Sequence, residues 1–372
     1  MDGTGSERFD TVVIGAGQAG LSAGYYLKRA GRSFVILDAN ASVGGSWVER
    51  YDSLHLFTPR FAVRFPGWRF RDRSVRYPSR DQIVAFLQAY AERFGMPVRT
   101  GVRVERISRE AEGFVVSTDA GPIEADNVIV ATGANRDPRV PAFAKDLDPA
   151  IVQFHSSAYR NPSQLRDGGV LVVGAGNSGA DISLDAVAEH PTWLSGPVRG
   201  HIPVSIDTWF AQNVVFRGLR FFMLHLVTLR TPIGRRFKVK HASQGDMLVR
   251  VKPKQLLAAG IQRVGKTVDV RGGKPVLEDG TVLDVSNVIW ATGYRHDLSW
   301  IDLPIFDEDG EPMHDRGVAT GQPGLYFVGL VFQYSAASDV IPGVGRDAKY
   351  VVNHLVTHER AGSPSGDLAA AA

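Results

Sequence analysis

The sequence lacks two features that would have fixed its chemistry or its location. None of its 372 residues is a cysteine, so disulfides, thiolate metal sites, iron–sulfur clusters and cysteine nucleophiles are excluded. The most apolar stretch, around Gly218 to Leu229, is interrupted by Arg220 and His225 and is too short to span a bilayer. The first ten residues lack the basic start and apolar centre of a signal peptide. We expect a cytoplasmic protein with no metal site and no stable membrane insertion.

Length and charge set broader limits on the protein. A chain of 372 residues is long enough for about two to three domains and a large buried core. The net charge of +3 and the pI of about 9.1 are mildly basic, which suits anionic cofactors and does not require nucleic acid. The sequence therefore predicts small-molecule ligands and no nucleic-acid partner. It leaves the oligomeric state open, with a dimer as one option.

Two motifs occur twice in the sequence with one spacing. TVVIGAGQAG returns as VLVVGAGNSG, which places Gly15 and Gly174 159 residues apart. DNVIVATG returns as SNVIWATG, which places Thr132 and Thr292 160 residues apart. Because two unrelated motifs share this spacing, the sequence indicates two copies of one type of domain.

Each copy opens with a β-branched run of strand length, followed by a glycine turn and a helix-like stretch. In the first copy the helix is predicted at Ala19–Ala30 and the next strand at Phe34–Leu37. In the second copy the helix is predicted from Asn177 to about Glu189 and the strand at Thr192–Leu194. This βαβ order requires parallel strands with right-handed crossovers. The predicted fold class is α/β, with two Rossmann-like, three-layer dinucleotide-binding domains.

The order of the copies predicts that the second domain is inserted into the first. Only 79 residues follow Gly293, too few for another such domain. The strand Leu325–Val328 and the helix-like stretch Asp347–His354 are therefore expected to rejoin the first domain. The predicted boundaries are residues 1–150 and 294–372 for the first domain, 165–290 for the second, and 134–169 for a linker rich in Pro, Asp and Asn.

Both glycine turns have the GxGxxG spacing of dinucleotide-binding sites and lie between a strand and a helix. Gly15 permits the turn, Gly17 lets the backbone approach a pyrophosphate, and Gly20 lets helix and strand pack closely. The pyrophosphate then faces the helix N-terminus, whose dipole is worth about 0.3–2 kcal/mol. The alternative interpretation is a pair of tight surface turns. The same three roles are assigned in the second copy to Gly174, Gly176 and Gly179.

The copies differ where the second strand ends. Asp38 ends that strand in the first copy and is placed to accept hydrogen bonds from a ribose diol. The second copy has Ser195 and then Arg199, with no acid that would repel a 2′-phosphate. A charge-assisted hydrogen bond is worth about 1.5–3 kcal/mol, a preference of about 10- to 150-fold. The sequence therefore predicts FAD in the first domain and NADPH in the second, with a solvated loop residue as the alternative for Arg199.

With these residues the chain resembles the flavin-containing monooxygenase superfamily, from about Phe9 to His354. The similar elements are the GAGQAG turn, the GGSW sequence over the flavin, and the late strand GLYFVG, which ends near the isoalloxazine. The segment from Tyr51 to Pro59 is most similar to plant YUCCA-type and small bacterial members. The resemblance also implies that the backbone of Val104 touches adenine.

The predicted cofactor residues follow from these motifs and from the resemblance. Those assigned to FAD are Gly15, Gly17, Gln18, Ala19, Gly20, Asp38, Gly45, Ser46, Trp47, Val104, Thr132, Gly133 and Gly329. Those assigned to NADPH are Gly174, Gly176, Asn177, Ser178, Gly179, Ser195 and Arg199.

The linker matches the family fingerprint FxGxxxHxxx(F/Y) in part. His155 and Tyr159 match, whereas Pro149 and Ile151 occupy the Phe and Gly positions. His155 and Tyr159 are the candidate catalytic residues, although for His155 an ordering of the linker by hydrogen bonds is the favoured interpretation. Related Baeyer–Villiger enzymes have Trp followed by Pro or Asp at the end of this fingerprint. Tyr159 followed by Arg160 argues against that subgroup.

The resemblance implies a monooxygenase that depends on FAD and consumes NADPH. It also implies that a peroxyflavin formed with O₂ oxygenates an N or S centre of a small organic substrate. Many such members have an Asn where this chain has Phe57, so oxygen activation by that Asn is not expected. A disulfide relay is excluded because it needs two thiols. The alternatives are an electron-transfer reductase of the ferredoxin-reductase type, a Baeyer–Villiger-type oxygenase, and a redox-sensing flavoprotein.

No acidic residue occurs between Asp207 and Asp246, a stretch that we call the basic–aromatic segment (residues 208–245). Three interpretations compete: a membrane-surface patch, a lid over an apolar substrate, and an ordinary packed helix with a solvated basic face. The packed helix is the commonest outcome for such a run, and the lid is the second choice. The segment contains seven cations and six aromatic residues: Arg217, Arg220, Arg230, Arg235, Arg236, Lys238, Lys240, Trp209, Phe210, Phe216, Phe221, Phe222 and Phe237.

Overall fold

The structure is a computed structural model that describes residues 7–110, 113–133, 137–197, 200, 209–210, 214–244 and 248–362. Its helices are α1 (Gln18–Arg29), α2 (Gly45–Val48), α3 (Arg80–Arg93), α4 (Asn177–Ala186), α5 (Phe216–Phe221), α6 (Pro232–Gln244), α7 (Pro253–Ala258) and α8 (Ile341–Gly362). A π-helical turn at Phe222–Leu226 continues α5, and 3₁₀ turns lie at Arg60–Ala62, Ala142–Asp146 and Pro162–Gln164.

The strands of the described residues are β1 (Glu7–Ile14), β2 (Phe34–Asp38), β3 (Arg64–Phe65), β4 (Trp68–Arg69), β5 (Val98–Thr100), β6 (Val104–Glu110), β7 (Gly113–Thr118), β8 (Gly121–Val130), β9 (Asp137–Pro138), β10 (Val152–His155), β11 (Val170–Val173), β12 (Thr192–Ser195), β13 (Gln262–Val264), β14 (Thr267–Arg271), β15 (Lys274–Leu277), β16 (Asn287–Trp290), β17 (Tyr294–Arg295), β18 (His314–Asp315), β19 (Val318–Ala319) and β20 (Leu325–Phe327).

The first sheet is a doubly wound sheet with five parallel strands in the order β5-β2-β1-β8-β20. In chain order this is 3-2-1-4-5, the arrangement of dinucleotide-binding domains. β7 pairs antiparallel with β8 and β6 pairs antiparallel with β7, whereas β18 and β19 extend the sheet beyond β20. The central strands are buried on both faces, which explains why they have continuous apolar sequences. We call this sheet with α1, α2, α3 and α8 the first unit.

The second sheet repeats the order of four of these strands, with β13, β12, β11 and β16 in the places of β5, β2, β1 and β8. Its five strands are all parallel, in the order β13-β12-β11-β16-β10. With α4 and α7 they form the second unit, whose strands fall in the chain between β8 and β20 of the first unit. The predicted α/β fold, with the second domain inserted into the first, is therefore confirmed. One difference is β10, which lies in the predicted linker but pairs with β16 at the edge of the second sheet.

Helix α8 packs against α1 and is much longer than the predicted helix at Asp347–His354. Its first turn contains Pro342, Gly343 and Gly345, which hide the helix from a sequence pattern. Proline is tolerated there because the first N–H groups of a helix have no partner within it. Helix α4, in contrast, ends at Ala186, three residues before its predicted end.

The described part of the basic–aromatic segment is mostly helical and contacts the first unit. Leu229 N donates to Tyr334 O at 2.9 Å, and Ala336 N donates to Val227 O at 3.1 Å. These bonds attach the turn between the π-helical turn and α6 to the loop that follows β20. The segment follows the second glycine turn in the sequence, yet it packs on the first unit.

Candidate functional site

The first glycine turn joins β1 to α1 and contains two positions that admit no side chain. Gly15 has φ +109°, and a Cβ there would lie 2.5 Å from Ala131 O. A Cβ at Gly20 would overlap the carbonyl oxygen of Gly15. At Gly17, with φ −84°, a Cβ would meet nothing within 4 Å. The turn therefore leaves open space beside Gly17 at the N-terminus of α1, which fits a pyrophosphate.

The second glycine turn, between β11 and α4, has the same geometry. Gly174 has φ +111°, and a Cβ there would overlap Ala291 O. A Cβ at Gly179 would overlap Gly174 O, whereas the space around Gly176 is open to 4 Å. The repeat seen in the sequence is thus a repeat of backbone geometry, and both turns fit a nucleotide pyrophosphate.

The first residues of α1 and α4 each form a hydrogen bond with a loop that comes later in the chain. Gln18 Nε2 donates to Asp339 O at 2.5 Å, just before α8 begins. Asn177 Oδ1 accepts a hydrogen bond from Val249 N at 3.1 Å. Both side chains hold neighbouring loops in place around the helix N-termini. Ser178, next in α4, is partly exposed there.

Asp38 is fixed beside the first turn. Its carboxylate accepts from Ala16 N at 2.6 Å and from Asn40 N at 2.8 Å, and the side chain is 7% exposed. Its backbone oxygen accepts from Val102 N at 3.0 Å, which brings Val104 of β6 to the same end of β2. The acid predicted to bind a ribose and the residue predicted to touch adenine therefore lie close together.

The GGSW sequence approaches the first turn from the other side. Gly44 has φ +73° and donates through its N–H to Ala16 O at 3.3 Å. Gly45 is buried, Trp47 is half-buried against the core, and Ser46 is exposed. The structure thus brings this predicted element to the glycine turn.

Gly329 follows β20 and approaches α1 closely. Its φ is +90°, and a Cβ there would lie 3.0 Å from the Cβ of Ala19. The fully buried side chain of Gln333 holds the loop, because its Oε1 accepts from Gly329 N at 3.0 Å and from Leu330 N at 3.4 Å. Sequence motifs did not identify Gln333, since its partners are fixed only when the loop closes.

The ATG sequences occupy equivalent places in the two units. Thr132 lies against the first turn, with its Cα 3.4 Å from the place of a Cβ on Gly15. Gly133 and Gly293 both have positive φ, at +74° and +83°. Each turn is therefore closed from the side by the end of a neighbouring parallel strand.

The register of β12 does not place Ser195 at the position equivalent to Asp38, where the sequence predicts a contact with the 2′-phosphate. Val173 pairs with Ser195 as Ile14 pairs with Leu37, so the position equivalent to Asp38 is Gly196. The hydroxyl of Ser195 is buried, donates to Gly265 O at 2.8 Å and accepts from Thr267 N at 2.9 Å. A shift of one residue along a strand turns a side chain to the opposite face. Ser195 thus holds the loop after β13, and its proposed contact with a 2′-phosphate loses support.

A cation that sequence reasoning missed lies at the end of β12. The guanidinium of Arg263, on the adjacent strand β13, donates to Gly196 O at 2.5 Å. Partial burial lowers the pKa of Arg263, and its Nε is buried without a hydrogen-bond partner. Arg263 could be found only from its place on the neighbouring strand, and the register of that strand is fixed only when the sheet forms. Arg199 lies outside the described residues.

His155 connects the linker to the second unit. Its Nδ1 accepts from Ser157 N at 3.1 Å, and its Nε2 then donates to Gly293 O at 3.0 Å. The ring is 6% exposed and meets Tyr294 edge to face. Burial is the main cause that lowers the pKa of His155 below 6.5. Both ring nitrogens are therefore engaged within the chain in the neutral form.

Tyr159 is also engaged within the fold. It is fully buried, its ring stacks on Phe154, and its hydroxyl donates to Asp185 of α4 at 2.9 Å. Burial raises the pKa of this phenol well above its ordinary value. The structure therefore shows that both catalytic candidates hold the linker against the second unit.

A buried polar network that the sequence did not reveal crosses between the units. Tyr51, in the segment after GGSW, donates through its hydroxyl to Asp181 Oδ2 at 3.1 Å. Arg250 pairs with Asp181 Oδ1 at 2.6 Å. Burial raises the pKa of Asp181 despite this cation, and burial also raises that of Tyr51. These three side chains position α4 against the first unit.

A cavity of about 620 Å³ opens beside this network. It is lined from the first unit by His55, Arg76 and Tyr77, and from the second by Arg250 and Lys252 among others. The cations suit a ligand with negative charge. The cavity lies in the cleft between the two units.

Comparisons with known proteins agree with this geometry. The family model for pyridine nucleotide-disulphide oxidoreductases matches residues 12–192. A CzcO-like oxidoreductase of Geobacillus kaustophilus is 38% identical over 351 residues, which cover 94% of this chain and 99% of the relative. Rice indole-3-pyruvate monooxygenase YUCCA1 is 30% identical, with 86% of each chain covered. The solved flavin-containing monooxygenase of Stenotrophomonas maltophilia has a TM-score of 0.78 and 29% identity, covering 95% of this chain and 99% of that one.

The chain belongs to the flavin-containing monooxygenase superfamily. This flavin monooxygenase is a flavin-dependent oxidoreductase, as the sequence predicts. The predicted cofactors, FAD and NADPH, are confirmed. The disulphide chemistry named in the family model has no counterpart here, because the sequence has no cysteine. None of the described helices is long and apolar enough to cross a bilayer.

Proposed function

We propose that this flavin monooxygenase consumes NADPH and O₂ to oxygenate a small organic substrate, with an N or S centre favoured. The observation that carries the proposal is the pair of glycine turns with matching geometry, one in each unit, in a sequence without cysteine. FAD held at the first glycine turn would supply the redox chemistry, in which NADPH, a proton, O₂ and the substrate are converted to NADP⁺, water and the substrate with one added oxygen atom. The residues of the chain bind and orient the cofactors and the substrate, and they exclude water.

For FAD, the N–H groups of the turn from Gly15 to Gly20 would hold the pyrophosphate, and Asp38 would accept a hydrogen bond from the ribose. Val104 would contact the adenine. The flavin end is lined by the segments that the structure brings to α1, which are Gly45 to Trp47, Thr132 with Gly133, and Gly329. Positive φ at Gly329 and Gly133 lets the backbone approach the ring without a side chain.

For NADPH, the turn from Gly174 to Gly179 would hold the pyrophosphate, with Asn177 and Ser178 at the start of α4. Arg263, which is bonded to the end of β12, and Arg199 would supply positive charge for the 2′-phosphate. Gly196, at the place of Asp38, leaves room for that phosphate and adds no negative charge. We further infer domain boundaries at residues 1–150 and 294–372 for the FAD domain, 165–290 for the NADPH domain and 134–169 for the linker.

His155 and Tyr159 are positioning residues in this proposal. Both hold the linker between the units, so the distance between the two nucleotide sites depends on them. Tyr51, Asp181 and Arg250 act in the same way beside Tyr159, whose ring centroid lies 6.3 Å from that of Tyr51. Oxygenation requires that water be excluded from the reduced flavin, because otherwise NADPH is consumed to form hydrogen peroxide.

The test is a measurement of where the oxygen goes. The purified holoenzyme is mixed with NADPH, ¹⁸O₂ and a panel of thioethers, amines and ketones, and products are analysed by mass spectrometry. One ¹⁸O atom per product, with NADPH and O₂ consumed in equal amounts, supports the proposal. Thioether or amine products support the favoured centres, and an ester from a ketone supports the Baeyer–Villiger alternative. If hydrogen peroxide accounts for all the NADPH with every substrate, the oxygenase proposal fails.

A second candidate function is electron transfer to a partner protein. The observation that favours it is the exposed basic face of the basic–aromatic segment, to which an acidic redox protein could dock. Rapid NADPH-dependent reduction of a ferredoxin, with no ¹⁸O product, would support this candidate. The cytoplasmic location predicted from the sequence belongs to the proposal as well, and cell fractionation tests it.

A further inference from the structure

The exposed large apolar side chains are concentrated in one part of the molecule. Of sixteen such side chains in the described residues, eight lie between residues 209 and 239, and these include four of the five exposed Phe and Trp side chains. Monomers normally scatter such residues singly, so a concentration marks a binding surface. The eight are Trp209, Phe210, Val214, Phe221, Phe222, Leu226, Ile233 and Val239.

The same stretch carries exposed positive charge without any carboxylate. Its sequence has no Asp or Glu between Asp207 and Asp246. Partial burial, the larger cause, lowers the pKa of Arg220 together with the cations of Arg64, Arg217 and Arg346, which lie around it. The exposed cations of the described part are Arg217, Arg220, Arg230, Arg235, Arg236 and Lys238.

The inner side of the segment is anchored, so the outer side is a fixed face. Phe216 packs edge to face on Phe61 with ring centroids 5.0 Å apart, and Phe237 stacks on Phe332 at 6.0 Å. Arg346 of α8 donates to Leu224 O. With the pairing of residues 227–229 to the loop after β20, these contacts attach the segment to the first unit at both of its helices.

We propose that this basic–aromatic face binds the surface of an anionic lipid bilayer, with α5, the π-helical turn and α6 lying in the plane of the interface. Helices that bind in this way combine large apolar side chains, which enter the boundary between headgroups and acyl chains, with Lys and Arg that meet anionic headgroups. Here Phe221 lies next to Arg220, and Val239 next to Lys238, so rings or aliphatic side chains and cations are interleaved.

Two other occupants fit the face less well. A second copy that used the same patch would set cations against cations, because a two-fold interface repeats its own charges. An acidic protein would satisfy the cations but would leave no reason for the exposed apolar side chains beside them, such as Phe221, Phe222 and Ile233.

The experiment is vesicle flotation of the holoenzyme. The flavin absorbance of each fraction measures how much protein floats with the vesicles. Vesicles of phosphatidylcholine alone are compared with vesicles that contain about one third phosphatidylglycerol. We expect binding to the anionic vesicles at least tenfold tighter than to the neutral ones, and strongly reduced at about 1 M NaCl, where the Debye length is about 3 Å. Equal binding to both kinds of vesicle, or to neither, overturns the proposal.

Two double variants test the face itself. Arg236→Glu with Lys238→Glu reverses two exposed cations, and Phe221→Ser with Ile233→Ser removes two exposed apolar side chains. Each should weaken binding to anionic vesicles at least about tenfold while the bound flavin is retained. The matched controls are Lys254→Glu with Arg271→Glu, with the same change in net charge, and Val268→Ser with Val282→Ser, both exposed elsewhere.

The outcomes separate the possible occupants. Loss of vesicle binding in both face variants, with the controls unchanged, supports the proposal. Controls that lose binding equally overturn it, because the attraction then belongs to the net charge of the whole protein. The proposal is also overturned if the native protein does not bind vesicles but binds an acidic ferredoxin. The same holds if it does not bind vesicles and light scattering shows that it dimerises through this face. Since vesicle binding needs no turnover, failure of the oxygenase proposal leaves this test intact.

Discussion

The two glycine turns have nearly the same backbone and different surroundings. Gly15 and Gly174 have φ values of +109° and +111°, and each accepts no side chain because of a carbonyl from a neighbouring strand. At the end of the second strand, however, one unit places Asp38 and the other places Gly196 with Arg263 attached to its oxygen. A turn therefore defines where a pyrophosphate lies, and the residue on the neighbouring strand decides which nucleotide it belongs to.

The largest expected effect tests whether the turns are equivalent in packing. Gly20→Ala and Gly179→Ala each drive a methyl group into a backbone carbonyl, so each should lower the free energy of unfolding by about 3 kcal/mol or more. Urea denaturation measures it. The control is Gly218→Ala in α5, where a Cβ meets nothing within 4 Å and stability should rise by about 0.5–1 kcal/mol. A large loss of stability in only one of the two variants would show that the two turns are not equivalent in packing.

The next prediction separates the two sites by cofactor. Gly17→Val and Gly176→Val place a side chain in the open space of each turn, at φ values that any residue adopts. Both proteins should fold, and binding of the affected nucleotide should weaken at least 100-fold, about 2.7 kcal/mol. Gly17→Val should purify without flavin, whereas Gly176→Val should stay yellow but resist reduction by NADPH. Visible absorbance and anaerobic reduction report the two losses.

The converse result is equally informative for this pair. If Gly176→Val lost the flavin and Gly17→Val kept it, the assignment of cofactors to units would be reversed. Thermal unfolding of both variants in the absence of nucleotide serves as the control for folding. Equal stability with unequal cofactor binding would isolate the effect at the turn.

A smaller effect is expected at the end of β12. Arg199→Ala and Arg263→Ala should each reduce kcat/KM for NADPH by about 10- to 150-fold, or about 1.5–3 kcal/mol, with little change for NADH. Steady-state reduction assays with both nucleotides measure the ratio. Because Arg263 also holds Gly196, its variant needs an unfolding measurement beside the assay. Native enzyme that used NADH as well as NADPH would contradict the assignment.

The smallest effect concerns the link between the units. Burial lowers the folded-state pKa of His155 below 6.5, so the unfolded chain binds more protons at mildly acidic pH. The contribution of His155 to stability is therefore complete above pH 6.5 and is lost as the pH falls through that value toward the folded pKa. In urea titrations between pH 7 and pH 5, His155→Gln should show a shallower loss than the native protein. At pH 7 it should lose about 1 kcal/mol for the bond to Gly293.

His314 and His354 provide the matched controls for this prediction. Burial also lowers the pKa of each of them, and both lie in the first unit away from the linker. Their Gln variants should flatten the pH dependence without changing the reduction of flavin by NADPH. If His155→Gln left the pH dependence unchanged, the neutral buried form described for its ring would be wrong.

The sequence by itself determined the repeat, both glycine turns and the inserted order of the units. These features are local: a strand, a turn and a helix within about thirty residues carry their own pattern of glycine and apolar residues. The absence of cysteine likewise needs no structure to exclude a thiol relay. The length of α8 was underestimated because Pro342 and two glycines break its pattern without breaking the helix.

Only the tertiary structure decided which residues surround the turns. The register of β12 moved the equivalent of Asp38 from Ser195 to Gly196, and the neighbouring strand brought Arg263 to it. In the same way, closure of a loop placed Gln333 on the backbone beside Gly329. The basic–aromatic segment follows the second turn in the chain but packs on the first unit. Such contacts join residues that are distant in sequence, and strand register and loop closure fix them only once the sheets have formed.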